Sequence, residues 1–346
     1  MGKGTLKMEP GRIFKWLTRA VTLATLLVLC TELPATETKI MRLAAIQPAD
    51  HDLTKACYHL AKLVEERSAG KIKIEVYPAG QLFSDKDLTK ALPSGSADLA
   101  QVTTGIWVGM VPALGIIELP FFYQDMDHVA RAFSDPKFRK ILDTEMAQKG
   151  VKLLFPQTWG YSFGFASKKQ LHTLEDFRGR RIRAHGEMPA EVIRSLGAAP
   201  VFMGTGDVYL GLQRGTIDGV MTAPCLAWDK KYYECVRHYV HLKSSDLMSP
   251  PLTLMNLKTY ADLTPEFQKL IDTAARETEA FSLKLSTDRS QECAKSLQGQ
   301  KVEVYPLPDT ERQRWAKACG PILQNYLKRN GEVGQRLVQE VENLKK

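Results

Sequence analysis

Apolar and polar positions alternate along this chain in two periods. KIMRLAAI from Lys39 and KIKIEVYP from Lys71 have the two-residue rhythm of strands, and Pro78 stops the second. Between them Leu53, Ala56, Cys57, Leu60, Leu63 and Val64 fall on one helical stripe that runs to about Ser68 and ends at Gly70. Ser84 with Asp87 resembles a capping box for a helix ending before Gly95, and ADLAQVTTG reads as a third strand. The resulting β-α-β-α-β order is that of a doubly wound α/β sheet. Further on, helices are expected around Met126–Phe133, Pro136–Lys149, Met188–Leu196, Gly206–Leu212 and Trp228–Cys235. VKLLFPQTW and YSFGFASKK read as strands that could pair through Gly160, and another strand lies near Leu252–Leu257. Thr264 followed by Pro265 opens a long helix toward Lys295. A short strand, VEVYPL, and two amphipathic helices close the chain, the first capped by Asp309. With no flexible linker between them, two lobes would share crossings, expected near Pro156–Trp159 and Ala223–Trp228.

The amino terminus stands apart. Lys3, Lys7, Arg12, Lys15 and Arg19 precede the uncharged run AVTLATLLVLC, which describes a secretory signal peptide over residues 1–35. The run is too short to span a bilayer, which needs about twenty residues. Leu29 before Cys30 argues against lipoprotein processing. Losing this segment removes five basic and two acidic residues, which takes the formal charge from +8 to +5. That mild, unclustered excess gives no reason to expect nucleic acid as a partner. The six cysteines have no CxxC or metal-ligand spacing. Cys57, Cys293 and Cys319 fall on apolar helix faces as buried thiols. In an oxidising compartment Cys225 and Cys235 are the candidate pair.

The stretch Asp176–Pro224 carries the candidate chemistry. Its basic run places Arg181 and Arg183 on one strand face. A guanidinium anchored at a strand end can clamp a carboxylate with two parallel hydrogen bonds. There is no HExxH, Walker or GxGxxG motif, and MGTGDVY lacks the dinucleotide-binding spacing. The chain reads as a binder of a small acid and not as an enzyme.

The segment DFRGRRIRAHG…GAAPVFMGTGDVYLGLQRGTIDG, with LAKLVEERSAGKIKIEVYPAGQLFSDKDL, ELPFFYQDMDHV and YYECVRHYV, closely resembles the DctP-type extracytoplasmic solute-binding proteins of TRAP transporters, over nearly all of residues 39–345. The resemblance implies a two-lobed periplasmic binding protein fold (type II-like) with crossing hinge strands and a long helix. It implies lobe 1 at 36–157, lobe 2 at 158–224, and a shared segment 225–346 whose carboxy-terminal helices pack on lobe 1. It also implies periplasmic capture of an organic acid and delivery to a sodium-coupled permease, with Arg183 as the carboxylate arginine and Arg181 as its rival. Service to a different transporter or a sensor, or a non-binding structural role, are the alternatives. Where the family often has a second arginine this chain has Ser162, beside Phe163, which makes a more neutral wall. Met221 and Thr222 stand where relatives carry an acidic residue, so neither a metal nor a cofactor is expected. Trp107 and Trp159 are candidate aromatic walls, and His51, in the first strand-to-helix loop, is a candidate hydrogen-bonding group. This lining favours a monocarboxylate with an apolar or aromatic body. The carboxy-terminal helices are ordinary in length, which favours a monomer.

Overall fold

The computed structural model describes residues 1–2, 38–157 and 163–346. The signal segment, Cys30, Trp159, Gly160 and Ser162 lie outside them. The chain divides into Met1–Lys39 and Ile40–Lys346, and the fold below is that of the second unit.

Two sheets organise it. One has the order β2 (Ile72–Tyr77), β1 (Lys39–Ala44), β3 (Leu99–Val102), β10 (Leu252–Asn256), β4 (Val151–Pro156), and the other β11 (Glu303–Pro306), β9 (His238–His241), β5 (Gly164–Ser167), β8 (Gly219–Thr222), β6 (Arg181–Ala184), β7 (Ala199–Phe202). In the first, β1 (Lys39–Ala44), β2 (Ile72–Tyr77) and β3 (Leu99–Val102) alternate with α1 (Asp52–Arg67) and the short α2 (Leu88–Ala91). The expected longer helix after Ser84 is confined to that one turn. Next come α3 (Thr104–Trp107), a 3-10 segment Pro112–Glu118, α4 (Met126–Ser134), α5 (Pro136–Ala147) and β4 (Val151–Pro156). Asp135 caps α5 through the backbone N–H groups of Lys137 and Phe138, with Pro136 in the first turn where no N–H is needed.

The second sheet contains β5 (Gly164–Ser167), β6 (Arg181–Ala184), β7 (Ala199–Phe202), β8 (Gly219–Thr222) and β9 (His238–His241). Helices α6 (Glu187–Ser195), α7 (Val208–Arg214) and α8 (Pro224–Asp229) lie between them. β4 and β5 do not pair: β4 joins β10 (Leu252–Asn256) in the first sheet, and β5 lies between β8 and β9 in the second. The segment joining them is therefore a crossing and not a hairpin turn. The second crossing lies at residues 242–251 and not at Ala223–Trp228, because β8 and β9 share a sheet. The expected helix Trp228–Cys235 is also broken. α8 ends at Asp229, Lys231 takes a left-handed φ of 55°, and a 3-10 turn covers Tyr232–Glu234.

The two crossings are bound to each other: Gln157 N donates to Pro251 O at 2.6 Å and Phe163 N to Leu247 O at 2.8 Å. Gln157 is buried, and its amide donates to Leu53 O and accepts from Gln101. After α9 (Leu257–Ala261), a third connection is α10 (Pro265–Gly299), which leaves the first sheet and re-enters the second at β11 (Glu303–Pro306). Its buried face carries Thr278, Ser282, Ser286 and Ser290 at four-residue spacing. Small side chains in that row let neighbouring backbone approach closely. The chain ends in α11 (Asp309–Asn343), broken at Gly331, whose φ of 53° separates the two helices expected from the sequence.

One covalent tie differs from expectation. Cys225 on α8 is bonded to Cys293 on α10, with Cα atoms 5.0 Å apart. Cys235 is a free, half-buried thiol. The stripe position of Cys293 is that of a buried residue, but its neighbour across the helix interface is another cysteine.

Candidate functional site

Arg183 and Arg181 alternate along β6, and the structure separates their roles. Arg181 is exposed and lies against Asp218, with Nε and Nη2 donating to its two carboxylate oxygens at 3.1 and 3.0 Å. Arg183 is 3% exposed. Its Nε donates to Met203 O at 2.9 Å and its Nη2 to Thr205 Oγ1 at 3.2 Å. Among the described residues no carboxylate lies within ion-pair distance of it. Burial lowers its pKa, with Tyr232 acting in the opposite direction. The side chain is thus fixed by one edge, leaving Nη1 and the second Nη2 hydrogen as a fork.

Strand register sorts the other candidates. Arg183 pairs with Val220 and Val201, and Ile182 pairs with Gly219. Arg183, Val220 and Thr222 therefore share one face, and Met221 points to the other. Met221 packs in the core with Phe163, Phe165, Ile182 and Met188, so its surroundings are those of a core residue. Thr222 is fully buried at the carboxyl end of β8, on the face of Arg183. Phe163 is buried at the mouth of β5. Trp107 is fully buried in the same core as Met221. His51 acts first as a helix cap: its Nδ1 accepts from Leu53 N at 3.2 Å, and its Nε2 faces Asp229 at 3.9 Å. Arg289 of α10 joins that group, donating to Asp229 at 2.7 Å and to Asp52 at 3.4 Å. His51, Asp52, Asp229 and Arg289 thus link α1, α8 and α10.

Two residues beside Arg183 were not singled out in the sequence. His185 continues the 181–183–185 alternation. Its ring stacks on Phe163 with centroids 4.9 Å apart, and neither ring nitrogen has a hydrogen-bond partner among the described residues. Burial, aided by the Arg183 charge, pushes its pKa down to about 3, so the ring is neutral and offers one donor and one acceptor. Tyr232, in the 3-10 turn after α8, has a buried hydroxyl without a partner among the described residues, and burial raises its pKa to about 12. Alternation pointed to His185. No local pattern pointed to Tyr232, which lies close enough to Arg183 for each to act on the other's charge.

The two halves meet beside this group. A Cβ placed on Gly186, just after His185, would lie 3.3 Å from the Cα of Gly105 in α3. Beneath Gly105 lies the buried Glu118, whose Oε1 accepts from the Ser249 hydroxyl and whose Oε2 has no partner among the described residues. Burial pushes its pKa up to about 7. A carboxyl raised in this way favours the folded state while protonated. That contribution is complete below about pH 4.5 and is lost as the pH rises through about 7. Glu118→Gln should therefore match the parent in urea unfolding at pH 4 and exceed it by about 3 kcal/mol at pH 8.

Two α/β halves joined by three connections, with a buried Arg183 that faces no carboxylate among the described residues, define a two-lobed binding protein. The chain matches the model of the bacterial extracellular solute-binding proteins, family 7 (DctP), over residues 43–330, and belongs to that family, the solute receptors of TRAP transporters. It is 25% identical over 283 residues to the 2,3-diketo-L-gulonate-binding periplasmic protein YiaO of Escherichia coli K12, which covers 82% of this chain and 85% of that protein. A TRAP solute-binding protein from Desulfovibrio salexigens, solved with bound orotic acid, superposes with a TM-score of 0.82 at 22% identity, covering 89% of this chain and 98% of that one. One from Sulfitobacter sp. NAS-14.1, solved with β-D-galacturonate, gives 0.80 at 25% identity, covering 88% and 100%. Members of this family are receptors and not enzymes.

Proposed function

We propose that this protein is exported to the periplasm, captures a small organic acid by its carboxylate between its two lobes, and delivers it as a monomer to a sodium-coupled TRAP permease. The observation that carries this reading is the buried Arg183 guanidinium, pinned by Met203 and Thr205 and facing no carboxylate of its own among the described residues. A buried cation without a counter-charge is costly, and a carboxylate ligand offsets that cost with two charge-assisted hydrogen bonds. Neutral His185 and the Tyr232 hydroxyl are further polar groups for the ligand, and Thr222 lies on the same face. Phe163 supplies an apolar wall. Trp107 and His51 act behind this set, in packing and at the α1 terminus. Trp159 and Ser162 complete the proposed lining. The ligand is a monocarboxylate, because one cation is provided and the wall beside it is aromatic. Orotic acid and galacturonate, bound by the two solved relatives, are carboxylates as well.

A thermal-shift screen of the purified protein against organic acids tests this. One class of monocarboxylate should raise the Tm, and the rise should vanish in Arg183→Ala. A shift that survives this substitution, or an equal response to neutral sugars, would remove the carboxylate clamp. Closure is tested separately. Gly186 has an extended backbone, φ −169°, that any residue adopts. Gly186→Leu should weaken acid affinity about 10- to 100-fold, because a Cβ there already lies 3.3 Å from the Cα of Gly105 and the rest of the side chain would hold the two lobes apart.

A further inference from the structure

A second cluster lies at the opposite end of the same sheet. His238 and Glu303 are the first residues of β9 and β11 and face each other directly in the parallel pair. His238 Nδ1 lies 2.8 Å from Glu303 Oε2. His172, in the loop after β5, brings its Nε2 to 3.9 Å from the same oxygen. One ligand atom from each of the three residues can be chosen so that all lie within 4.8 Å of one another. Tetrahedral zinc with ligand bonds near 2.0–2.1 Å needs donors separated by about 3.3 Å. The two measured separations bracket that value.

Two observations distinguish this group from an ordinary surface ion pair. His172 Nε2 is shielded from solvent and has no hydrogen-bond partner among the described residues. Its ring is nevertheless held in place: it stacks on Tyr305 with centroids 3.7 Å apart, and its backbone N–H is held by Asp176 Oδ2 at 2.9 Å. A buried, oriented imidazole nitrogen aimed at a His–carboxylate pair is a preformed ligand. We propose that His172, His238 and Glu303 bind a divalent transition-metal ion of the zinc class, with an open fourth position for water. Two imidazoles and one carboxylate suit that ion and not calcium or magnesium, which take oxygen ligands.

The site is structural and independent of acid capture. Ser167 of β5 pairs with both His238 and Gly219, which places His238 level with the start of β8, whereas Arg183 and Thr222 lie toward the carboxyl ends. The ion would tie β11, where α10 re-enters the sheet, to β9 and to the loop before Thr173.

The test is isothermal titration of tag-free, metal-stripped protein with Zn²⁺, paired with thermal shift. One ion should bind per chain, and the Tm should rise by about 4 °C at hundredfold excess over Kd. His172→Ala and His238→Ala should each abolish both effects, and Glu303→Gln should weaken them. All three should keep the circular dichroism spectrum and the response to acid. Arg183→Ala should bind Zn²⁺ as the parent does. No binding by the parent, or unchanged stoichiometry in the double variant His172→Ala/His238→Ala, would overturn the proposal. If a histidine variant unfolds, Glu303→Gln alone decides: undiminished binding there removes the site.

Discussion

Arg183→Met is expected to weaken binding of the acid by at least about a hundredfold without lowering the Tm of the ligand-free protein. The affinity loss follows from removing the cationic half of a buried, hydrogen-bonded charge pair, which costs about 3–5 kcal/mol. The stability result follows from burial. Arg183 is 3% exposed and pairs with no carboxylate among the described residues, so the ligand-free protein bears its desolvation cost uncompensated. Methionine fills similar space without that cost. Arg183→Lys should fall between, since it restores the charge but not the planar fork. Calorimetry on the three proteins with the acid found in the screen checks this. A purely structural arginine would give the reverse pattern: a lower Tm, with affinity affected only through it.

Reduction of the Cys225–Cys293 bond is expected to cost about 4 kcal/mol of stability, read as a lower urea midpoint. The bond joins positions 68 residues apart, and in the chain-entropy view its effect grows with the loop it closes. It also fixes α8, which follows β8, to the long helix α10 that links the two sheets. Cys225→Ser and Cys293→Ser should each reproduce the loss, whereas Cys235→Ser should leave the midpoint unchanged. Peptide mapping under non-reducing conditions should recover Cys225 linked to Cys293. A Cys225–Cys235 linkage, with sensitivity at Cys235, would contradict this arrangement.

Much of the fold was legible from local signals. Period-two runs located β1 and β2, the stripe from Leu53 to Val64 located α1, and Thr264–Pro265 marked the start of α10. Errors arose where tertiary context overrode local pattern. HYVH is too short and mixed to announce a strand, yet it forms β9 between β5 and β11. VKLLFP and GFAS are neighbours in sequence and invited a hairpin, but each finds its partners in a different sheet. The helix expected at Trp228–Cys235 yields to a left-handed turn at Lys231 that brings Tyr232 toward Arg183.

Within the site the division is similar. The sequence by itself determined the α/β class, the solute-binding family and the arginine-bearing strand, because these are written in periodicity and in contiguous motifs. It placed Arg181 and Arg183 on one face but could not say which of them Asp218 would occupy. Met221 and Thr222 were equal candidates until strand register assigned them to opposite faces. Only the tertiary structure joined Cys225 to Cys293, set Gly186 against Gly105, buried Glu118 beneath them, and brought His172, His238 and Glu303 together. The physical reason is range. Helix and strand periods and capping residues act over a few positions, whereas ion pairing, burial and metal-ligand geometry depend on distances between segments that only the packed sheets fix.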